Sequence, residues 1–493
     1  MPLRTAGDAH ASSRSKNEQM GPPLEPQSRP VRNPGQANDS RRLVAVGSTH
    51  NLQRTTRNAK RPVKLLHTAD IHLGFKTHGR RDPDTGLNTR VLDVRDSLDA
   101  VVQRALDAEV DAFLFCGDAY HTADPTPTQQ KIFVQSLRPL ADAGIPIVLV
   151  VGNHDHPVTF GRASSLDIFD HVAGEVYCYR KPAPNVQIID TASGPLQLIP
   201  LPWPIRSQIL TKDEYRTMSP DELRQFIEEH YVTYIQRRTS EILEGEPGAA
   251  VDGTERPLSA DVPTVLAGHV TVQGAALAGS EHTTTIASEP TFTVGQLAVR
   301  PIDYVALGHV HRPQDRNEEG HPPVVYSGSI ERVTFNEANE PKGFQLVDID
   351  SSRDPRTHTA FVDTPARPFV AVEVDARETD EPTERILEAI QDQDVSDAIV
   401  RVRYRVDEEQ VAQVDQARLR EALAPADTVA AIERTVDPAE RKRRTVVTRE
   451  SGLEEAVRQY VGQHDELAGM TDELVETALE LESELDAERS GGD

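Results

Sequence analysis

Short apolar runs alternate with longer amphipathic stretches through the middle of the chain. The apolar runs predict buried strands at Val63 to Thr68, Ala112 to Cys116, Ile145 to Val151, Leu196 to Leu201, Val262 to Ala267 and Tyr304 to Leu307. Apolar residues at helical spacing predict helices at Val91 to Ala108, Thr128 to Ala143 and Pro220 to Leu243. This alternation is typical of an α/β sheet fold.

The pattern changes after about residue 362. Strands at Phe369 to Val374 and Ala398 to Val406 flank a helix at Thr383 to Gln391, which predicts a small α+β domain. Apolar stripes at helical spacing from Ser451 to Leu485 predict two further helices. We therefore expect domains at 62–362 and 363–445 and a helical region at 446–493.

Residues 1–61 have no apolar periodicity and are rich in Pro, Ser, Asn, Gln and Arg. Eleven basic residues stand against four acidic ones, and this composition predicts a disordered basic tail. Several roles stay open for it: a dispensable extension, a misplaced start codon, a transit peptide, or a basic arm that finds DNA.

Length and composition narrow the class of protein. A chain of 493 residues is expected to form two or three domains, and its two cysteines provide neither a disulfide framework nor a thiolate zinc site. Without a run of about 18 apolar residues, we expect a soluble, cytoplasmic protein that does not bind membranes. The net charge of −26 counts against nucleic-acid binding. Lysines are scarce, however, as in a salt-adapted or GC-rich proteome, in which surface acidity concerns solubility and not the choice of ligand.

Potential metal ligands follow almost every predicted strand of the first domain. The motifs are HTADIHLG, CGDAYH, GNHDHP, AGHV and LGHVH, which supply Asp70 and His72, Asp118 and His121, Asn153 to His156, His269, and His309 and His311. Residues just past the carboxyl ends of neighbouring strands converge at one edge of an open α/β sheet. A single histidine at a strand end is more often structural, but an ordered series of five such motifs indicates a site.

The types of side chain indicate which metals would fit. Carboxylate, imidazole and amide ligands without a thiolate suit Mn²⁺, Fe or Zn²⁺. Two such ions about 3.5 to 4 Å apart can clamp the attacking and leaving oxygens of a phosphoryl displacement. The glycine before several of these ligands has two interpretations, a simple turn residue or a means of bringing backbone close to the metals.

The order DxH, GDxxH, GNHD, GH, GHxH resembles the calcineurin-like metallophosphoesterases over roughly residues 63–350. The resemblance implies a two-sheet α/β sandwich, followed here by a small α+β capping domain and C-terminal helices. Within that superfamily, the segment YSGSIERVTFNE from Tyr326 to Glu337, together with GNHDHP, resembles the SbcD-type nucleases of DNA double-strand-break repair.

The resemblance also implies roles for individual residues. It implies one metal site from Asp70, His72 and His311, a second from Asn153, His269 and His309, and Asp118 as the bridging ligand. His154 is similar to the family's catalytic acid, oriented by Asp155, and His121 to a histidine that touches the scissile phosphate. His156 matches no catalytic position and is interpreted as a loop histidine.

The function implied by this resemblance is a nuclease with two divalent metal ions, Mn²⁺ in the first place. It would act as a 3′–5′ exonuclease on duplex ends and as a single-strand endonuclease. Its partner would be an SbcC-type coiled-coil ATPase, in a heterotetramer of two nuclease and two ATPase subunits that repairs breaks and processes hairpins. Two alternatives stay open: a stand-alone metallophosphoesterase on small phosphoesters, and a non-catalytic DNA-binding scaffold.

Two features outside the first domain allow two interpretations each. On one predicted strand, valines and a tyrosine alternate with Arg401, Arg403 and Arg405. These arginines would form either the solvent-facing side of a half-buried strand or a basic stripe that contacts DNA. The C-terminal helices would either pack on the protein itself or bind the partner ATPase through an apolar face.

Overall fold

The computed structural model describes residues 61–156, 163–171, 174–204, 218–250, 253–279, 281, 289–437, 452–462 and 465–490. The described residues, from Arg61 to Ser490, belong to one compact unit. The predicted basic tail lies outside the described residues, except for Arg61. No helix in the described part of the chain is long and apolar enough to cross a membrane.

The secondary structure follows the chain in this order. The strands are β1 Val63–Thr68, β2 Ala112–Cys116, β3 Ile147–Val150, β4 Val176–Tyr179, β5 Gln187–Thr191, β6 Gly194–Leu201, β7 Pro247–Ala250, β8 Glu255–Pro257, β9 Thr264–His269, β10 Thr271–Val272, β11 Thr291–Phe292, β12 Tyr304–Gly308, β13 Gln314–Asp315, β14 Val324–Tyr326, β15 Gly343–Ile349, β16 Thr357–Asp363, β17 Phe369–Asp375, β18 Ile399–Asp407 and β19 Thr428–Asp437. The helices are α1 Thr89–Asp107, α2 Pro127–Asp142, α3 Pro220–Glu244, α4 Val294–Leu297, α5 Pro382–Gln391, α6 Gln416–Ala422, α7 Leu453–Val461 and α8 Thr471–Ser490.

Two sheets form the main body. One has the strand order β16-β15-β1-β2-β3-β4, and the other has the order β13-β14-β12-β9-β6-β5-β7-β8. The strands β1 to β4 are parallel, and so are β6, β9, β12 and β14. A core of buried residues from both sheets, such as Leu114, Val148 and Ala267, fills the space between them. The predicted two-sheet α/β sandwich is confirmed.

Helices cover the outer face of each sheet. On the first sheet α1 and α2 bury Leu98, Val101 and Phe133, and on the second α3 buries Ile227 and Ile235. Local signals define these helices: α2 and α3 each begin with a capping box followed by proline. Helix α3 ends at Glu244 and is followed by Gly245, whose φ of 70° is the left-handed conformation common after a helix.

The chain after β16 forms a separate, three-stranded sheet. Its strands β17, β18 and β19 are all parallel, and α5 and α6 lie in the connections between them. The small domain thus differs from the α+β arrangement expected from the sequence, because crossover helices join parallel strands. The predicted strands and helix are present, whereas the domain boundaries stay a prediction.

Two helices lie at the C-terminal end of the described chain. Helices α7 and α8 contact each other, and Arg458 of α7 forms an ion pair with Asp472 of α8, Nη1 to Oδ1 3.0 Å. Val461 and Val475 are buried, whereas Tyr460 and Leu481 are 59% and 54% exposed. Ser451, where the predicted helical segment begins, lies outside the described residues.

Candidate metal centre

The candidate ligands lie where the parallel strands of both sheets end. Asp70 and His72 follow β1, Asp118 follows β2, and His309 follows β12. The backbones come so close here that a side chain would not fit: a Cβ on Gly308 would lie 2.0 Å from the carbonyl oxygen of Cys116. The structure therefore requires glycine before His309, because the site depends on a close approach of two strand ends.

The backbone is strained at several of these ligands. In the described part of the chain seven residues other than glycine have positive φ, and four are candidate ligands. These are Asp70 at 53°, His72 at 48°, Asp118 at 60° and His309 at 96°. Such conformations are costly for residues with a Cβ and are concentrated at functional sites.

Asp70, His72 and His311 form the first half of the centre, which we call the Asp70 half. One ligand atom from each lies within 4.8 Å of the others. Nε2 of His72 is 2.9 Å from Nε2 of His311 and 3.8 Å from Oδ2 of Asp118. All three side chains are buried, so solvent does not separate them.

Asn153, His269 and His309 form the second half, which we call the Asn153 half. Oδ1 of Asn153 is 2.9 Å from Nε2 of His269 and 3.2 Å from Nδ1 of His309. Nε2 of His269 is 3.4 Å from Oδ2 of Asp118, the same oxygen that faces His72. Asp118 therefore stands between the two halves. The seven residues expected from the sequence converge, and their roles as ligands stay a prediction.

The donor set fits divalent cations. Imidazole nitrogens and carboxylate oxygens converge at the distances above, and a divalent cation between them would be bound by both kinds of ligand. Burial lowers the pKa of His269, but the carboxylates of Asp118 and Asp70 outweigh it and raise that pKa to about 9. The negative field of the centre is thus strong enough to hold a proton on a buried ring, and metal ions would satisfy the same field.

Groups behind the ligand histidines fix which nitrogen faces the centre. Nδ1 of His269 donates a hydrogen bond to the carbonyl oxygen of Cys116, 2.7 Å away. Nε2 of His309 is 3.0 Å from Oε2 of Glu289, and Nδ1 of His311 is 3.0 Å from Oε1 of Glu337. Such partners orient metal-binding histidines and raise their basicity.

The two histidines predicted to act on the phosphate lie at the edge of the centre. The ring of His154 is 4.8 Å from that of His72, and the ring of His121 is 6.0 Å from that of His154. Nδ1 of His154 donates to the carbonyl oxygen of His121 at 2.8 Å. Burial and the neighbouring His154 lower the pKa of His121. His156 is in none of the groups of candidate ligands.

The predicted role of Asp155 requires correction. Its carboxylate does not contact the ring of His154, because it accepts hydrogen bonds from backbone N–H groups. Oδ2 accepts from Asp118 at 2.8 Å and from Gly152 at 3.1 Å, and Oδ1 accepts from Ala119 at 2.9 Å. Asp155 thus joins the loops that carry Asp118 and Asn153. Burial, together with Asp118, raises its pKa to about 7.

The arginines of β18 do not form a free basic stripe. The guanidinium of Arg401 lies 4.3 Å from the ring centre of Phe335. Nε of Arg403 is 2.6 Å from Oε2 of Glu433, and Nη2 of Arg405 is 2.8 Å from Oδ2 of Asp437. Acidic residues of β19 therefore offset two of the three charges, which favours the interpretation as a solvent-facing side of the sheet.

From the sequence we assigned no role to three residues that lie near the centre. Trp203, the single tryptophan of the chain, has its ring 5.1 Å from that of His309. Glu289 and Glu337 contact ligand histidines, as described above. Glu337 ends the signature segment, which was a signal for it, whereas Glu289 follows no motif and only the tertiary structure shows its position.

Comparisons with known proteins are consistent with this geometry. The family profile of the calcineurin-like phosphoesterases matches residues 63–313. The D subunit of the nuclease SbcCD from Bacillus subtilis (strain 168) is 30% identical over 291 residues, 58% of this chain and 66% of that protein. The protein of the same name from Staphylococcus epidermidis (strain ATCC 12228 / FDA PCI 1200) is 26% identical over 313 residues, 63% of this chain and 72% of that protein.

The chain thus spans slightly less than two thirds of the length of the Bacillus subtilis relative. Among solved structures, a 5′-nucleotidase precursor from Thermus thermophilus matches with a TM-score of 0.33 and 13% identity, covering 62% of this chain and 55% of that chain. The sequence similarity to the two SbcCD subunits confirms the resemblance to SbcD-type proteins that the motifs indicated.

Proposed function

The chain belongs to the calcineurin-like phosphoesterase family, and on that premise we propose that it is a metal-dependent nuclease that hydrolyses DNA phosphodiesters. The observation that carries the proposal is the pair of ligand groups that share Asp118. The names of the two relatives described above, both nuclease subunits, favour DNA over small phosphoesters as the substrate. The complete ligand set argues against a non-catalytic scaffold.

The proposed chemistry needs two cations in the Asp70 and Asn153 halves, with Mn²⁺ as our first choice. When bound, they would supply Lewis acidity and make hydroxide available near neutral pH. Asp118 would hold both ions, and the strained turns at Asp70 and His309 would fix the ligands in place before substrate arrives.

His154 is the residue of this chain best placed to protonate the departing oxygen. Its Nδ1 is committed to the carbonyl oxygen of His121 at 2.8 Å, so Nε2 is the atom that would hold and release the proton. His121 would contact the phosphate from the neighbouring loop. Asp155 acts indirectly in this scheme, because it holds the backbone on which Asp118 is mounted.

The test of the DNA proposal uses the purified full chain and linear duplex DNA. We expect degradation with Mn²⁺ and none after EDTA, because the donor set offers no metal-free route to a nucleophile. Labels at either end would show the proposed 3′–5′ direction, and a circular single strand would show endonuclease activity. Hydrolysis of a small phosphodiester without hydrolysis of DNA would instead favour the small-molecule alternative.

We further propose that α7 and α8 bind an SbcC-type ATPase, in a complex of two nuclease and two ATPase subunits. Tyr460, Met470, Leu479 and Leu481 are exposed apolar side chains on this helical region. Their burial in a groove would contribute roughly 25 cal/mol per Å². Truncation at about residue 446 should abolish co-purification with the ATPase and spare metal-dependent cleavage of short single-stranded DNA.

A point variant separates binding from folding in this test. Leu479→Glu with Leu481→Glu should weaken the complex strongly, whereas Glu480→Gln, on an exposed residue between them, should leave it unchanged. If the truncated chain still co-purifies with the ATPase to the same extent, the proposal is wrong, and the interpretation that these helices pack on the protein itself is favoured.

A further inference from the structure

The two halves of the metal centre differ in the charge of their own ligands. The Asp70 half has a carboxylate of its own among its ligands, whereas the Asn153 half has a neutral amide in that place. Asp118 is shared, and the remaining ligands are histidines. If these residues were the whole site, the Asn153 half would hold a divalent cation less strongly.

A buried carboxylate lies behind the Asn153 half. Glu289 is 6% exposed, and its Oε2 is 3.0 Å from Nε2 of His309. Within the described residues, the carboxylate also accepts a hydrogen bond from Oγ1 of Thr271, which lies 3.4 Å from Oε2. Within the described part of the chain, no lysine or arginine forms an ion pair with Glu289, so its negative charge stays available to the centre.

The corresponding carboxylate behind the Asp70 half is neutralised. Oε1 of Glu337 is 3.0 Å from Nδ1 of His311, but Oε2 is 2.9 Å from Nζ of Lys342. Both side chains are completely buried, and Lys342 also donates to Oγ of Ser329 at 2.9 Å. Glu337 therefore orients its histidine while Lys342 offsets its charge.

We propose that Glu289 is a positioning residue that supplies the Asn153 half, through His309, with the negative charge that Asp70 supplies directly to the other half. The inference rests on the proposed two-metal centre. Besides the shared Asp118, the Asp70 half would then have Asp70 among its ligands and the Asn153 half would have Glu289 behind His309. Glu281, whose Oε1 accepts from the backbone N–H of His311 at 2.9 Å, adds a further carboxylate on the Asp70 side. Glu289 would act on the metal by making His309 a stronger ligand and by adding its field, without touching the ion.

The test measures metal binding by the full chain, with no nuclease assay. Mn²⁺ bound per chain is measured by mass spectrometry at a series of free concentrations, alongside the fluorescence of Trp203, which lies next to His309. Glu289→Gln should weaken the second equivalent of Mn²⁺ about 10- to 100-fold and change the first less than about 2-fold. The matched control is Glu318→Gln, on an exposed glutamate, which should change neither.

A charge-transfer variant distinguishes this role from a structural one. Adding Asn153→Asp to Glu289→Gln should restore the second equivalent to within about 3-fold, because the carboxylate returns to the same half. If Glu289→Gln binds Mn²⁺ like the unaltered chain, or weakens both equivalents equally without rescue, the proposal is wrong. Binding of fewer than two Mn²⁺ by the unaltered chain would instead refute the two-metal centre itself.

Should Glu289→Gln fail to melt cooperatively, the single variant Asn153→Asp carries the test. In the otherwise unaltered chain it adds a carboxylate to a half that already has Glu289. We expect the second equivalent to bind about 10-fold more tightly, which corresponds to about 1.4 kcal/mol. Unchanged affinity would overturn the proposal.

Discussion

Charged side chains have different roles in the two-sheet body and in the three-stranded sheet. In the body, Asp70, Asp118 and the ligand histidines are buried, and several stand on strained backbone. On β18, Arg403 and Arg405 are 48% and 49% exposed, and each pairs with an acid of the next strand. Buried carboxylates and imidazoles that converge at the strand ends indicate a site for cations, whereas exposed charges that alternate with opposite ones mainly keep a surface soluble.

A third arrangement lies between the two regions. Arg90 of α1 is fully buried and contacts Asp93, Glu331 and the carbonyl oxygen of Arg332. Arg367, just before β17, is bound to the same Asp93, with Nε 2.8 Å from Oδ2. The guanidinium of Arg90 also lies 5.2 Å from the ring centre of Phe369. This network is buried like the centre but internally balanced, so we expect it to stabilise the fold.

The largest effect should come from the buried centre. Asp118→Ala should remove both metals and reduce nuclease activity to background, because one carboxylate faces both halves. Metal content by mass spectrometry and the rate on duplex DNA measure this. Retention of either ion at the wild-type affinity would show that Asp118 does not bridge.

Removal of the proposed proton donor should separate binding from turnover. His154→Ala should keep two ions per chain and lose about 10²- to 10⁴-fold in rate, the usual contribution of a general acid. Bound metal and reaction rate are measured for His154→Ala and for Asp118→Ala at the same metal concentrations. Equal loss of metal in the two variants would mean that the assigned roles are wrong.

Stability should depend on the balanced network between the regions. Arg90→Met leaves Glu331 without its buried cation and Asp93 with Arg367 alone, and it should lower the free energy of unfolding by about 3 to 5 kcal/mol. Arg80→Met, which removes an ion pair of a half-exposed arginine with Asp427, should cost less than about 1 kcal/mol. Denaturant titration of both variants checks the difference, and equal losses would refute the distinction.

The smallest effect should come from β18. Arg403→Gln with Arg405→Gln should leave the affinity for DNA and its salt dependence unchanged, since Glu433 and Asp437 already offset these charges. If both arginines contacted phosphates, the slope of log K against log salt would fall by about 1.8. A fall of that size would restore the interpretation as a basic stripe.

The sequence revealed the strands and the ligands because both depend on local patterns. β1 and β2 begin and end where their apolar runs do, and parallel topology brings the strand ends together. By contrast, β16 and β19 are edge strands whose side chains are nearly all exposed or half-buried, so their short apolar stretches did not indicate buried strands. A pattern of hydrophobic residues alone does not distinguish such amphipathic edge strands from loops.

Contacts that depend on tertiary packing could not be predicted in this way. Asp155 follows His154 in the sequence, which suggested that it orients that ring, but the turn directs its carboxylate to the amides of Gly152 and Asp118. Glu289 and Lys342 look like surface residues in the sequence. Only the fold shows that Glu289 lies behind His309 and that Lys342 lies beside Glu337.

The most direct test of the two-metal centre is anomalous diffraction from crystals of the chain grown with Mn²⁺. We predict two manganese peaks about 3.5 to 4 Å apart, with the carboxylate of Asp118 between them. One peak should contact Asp70, His72 and His311, and the other Asn153, His269 and His309. A single peak, or peaks that lie away from these seven residues, would contradict the account.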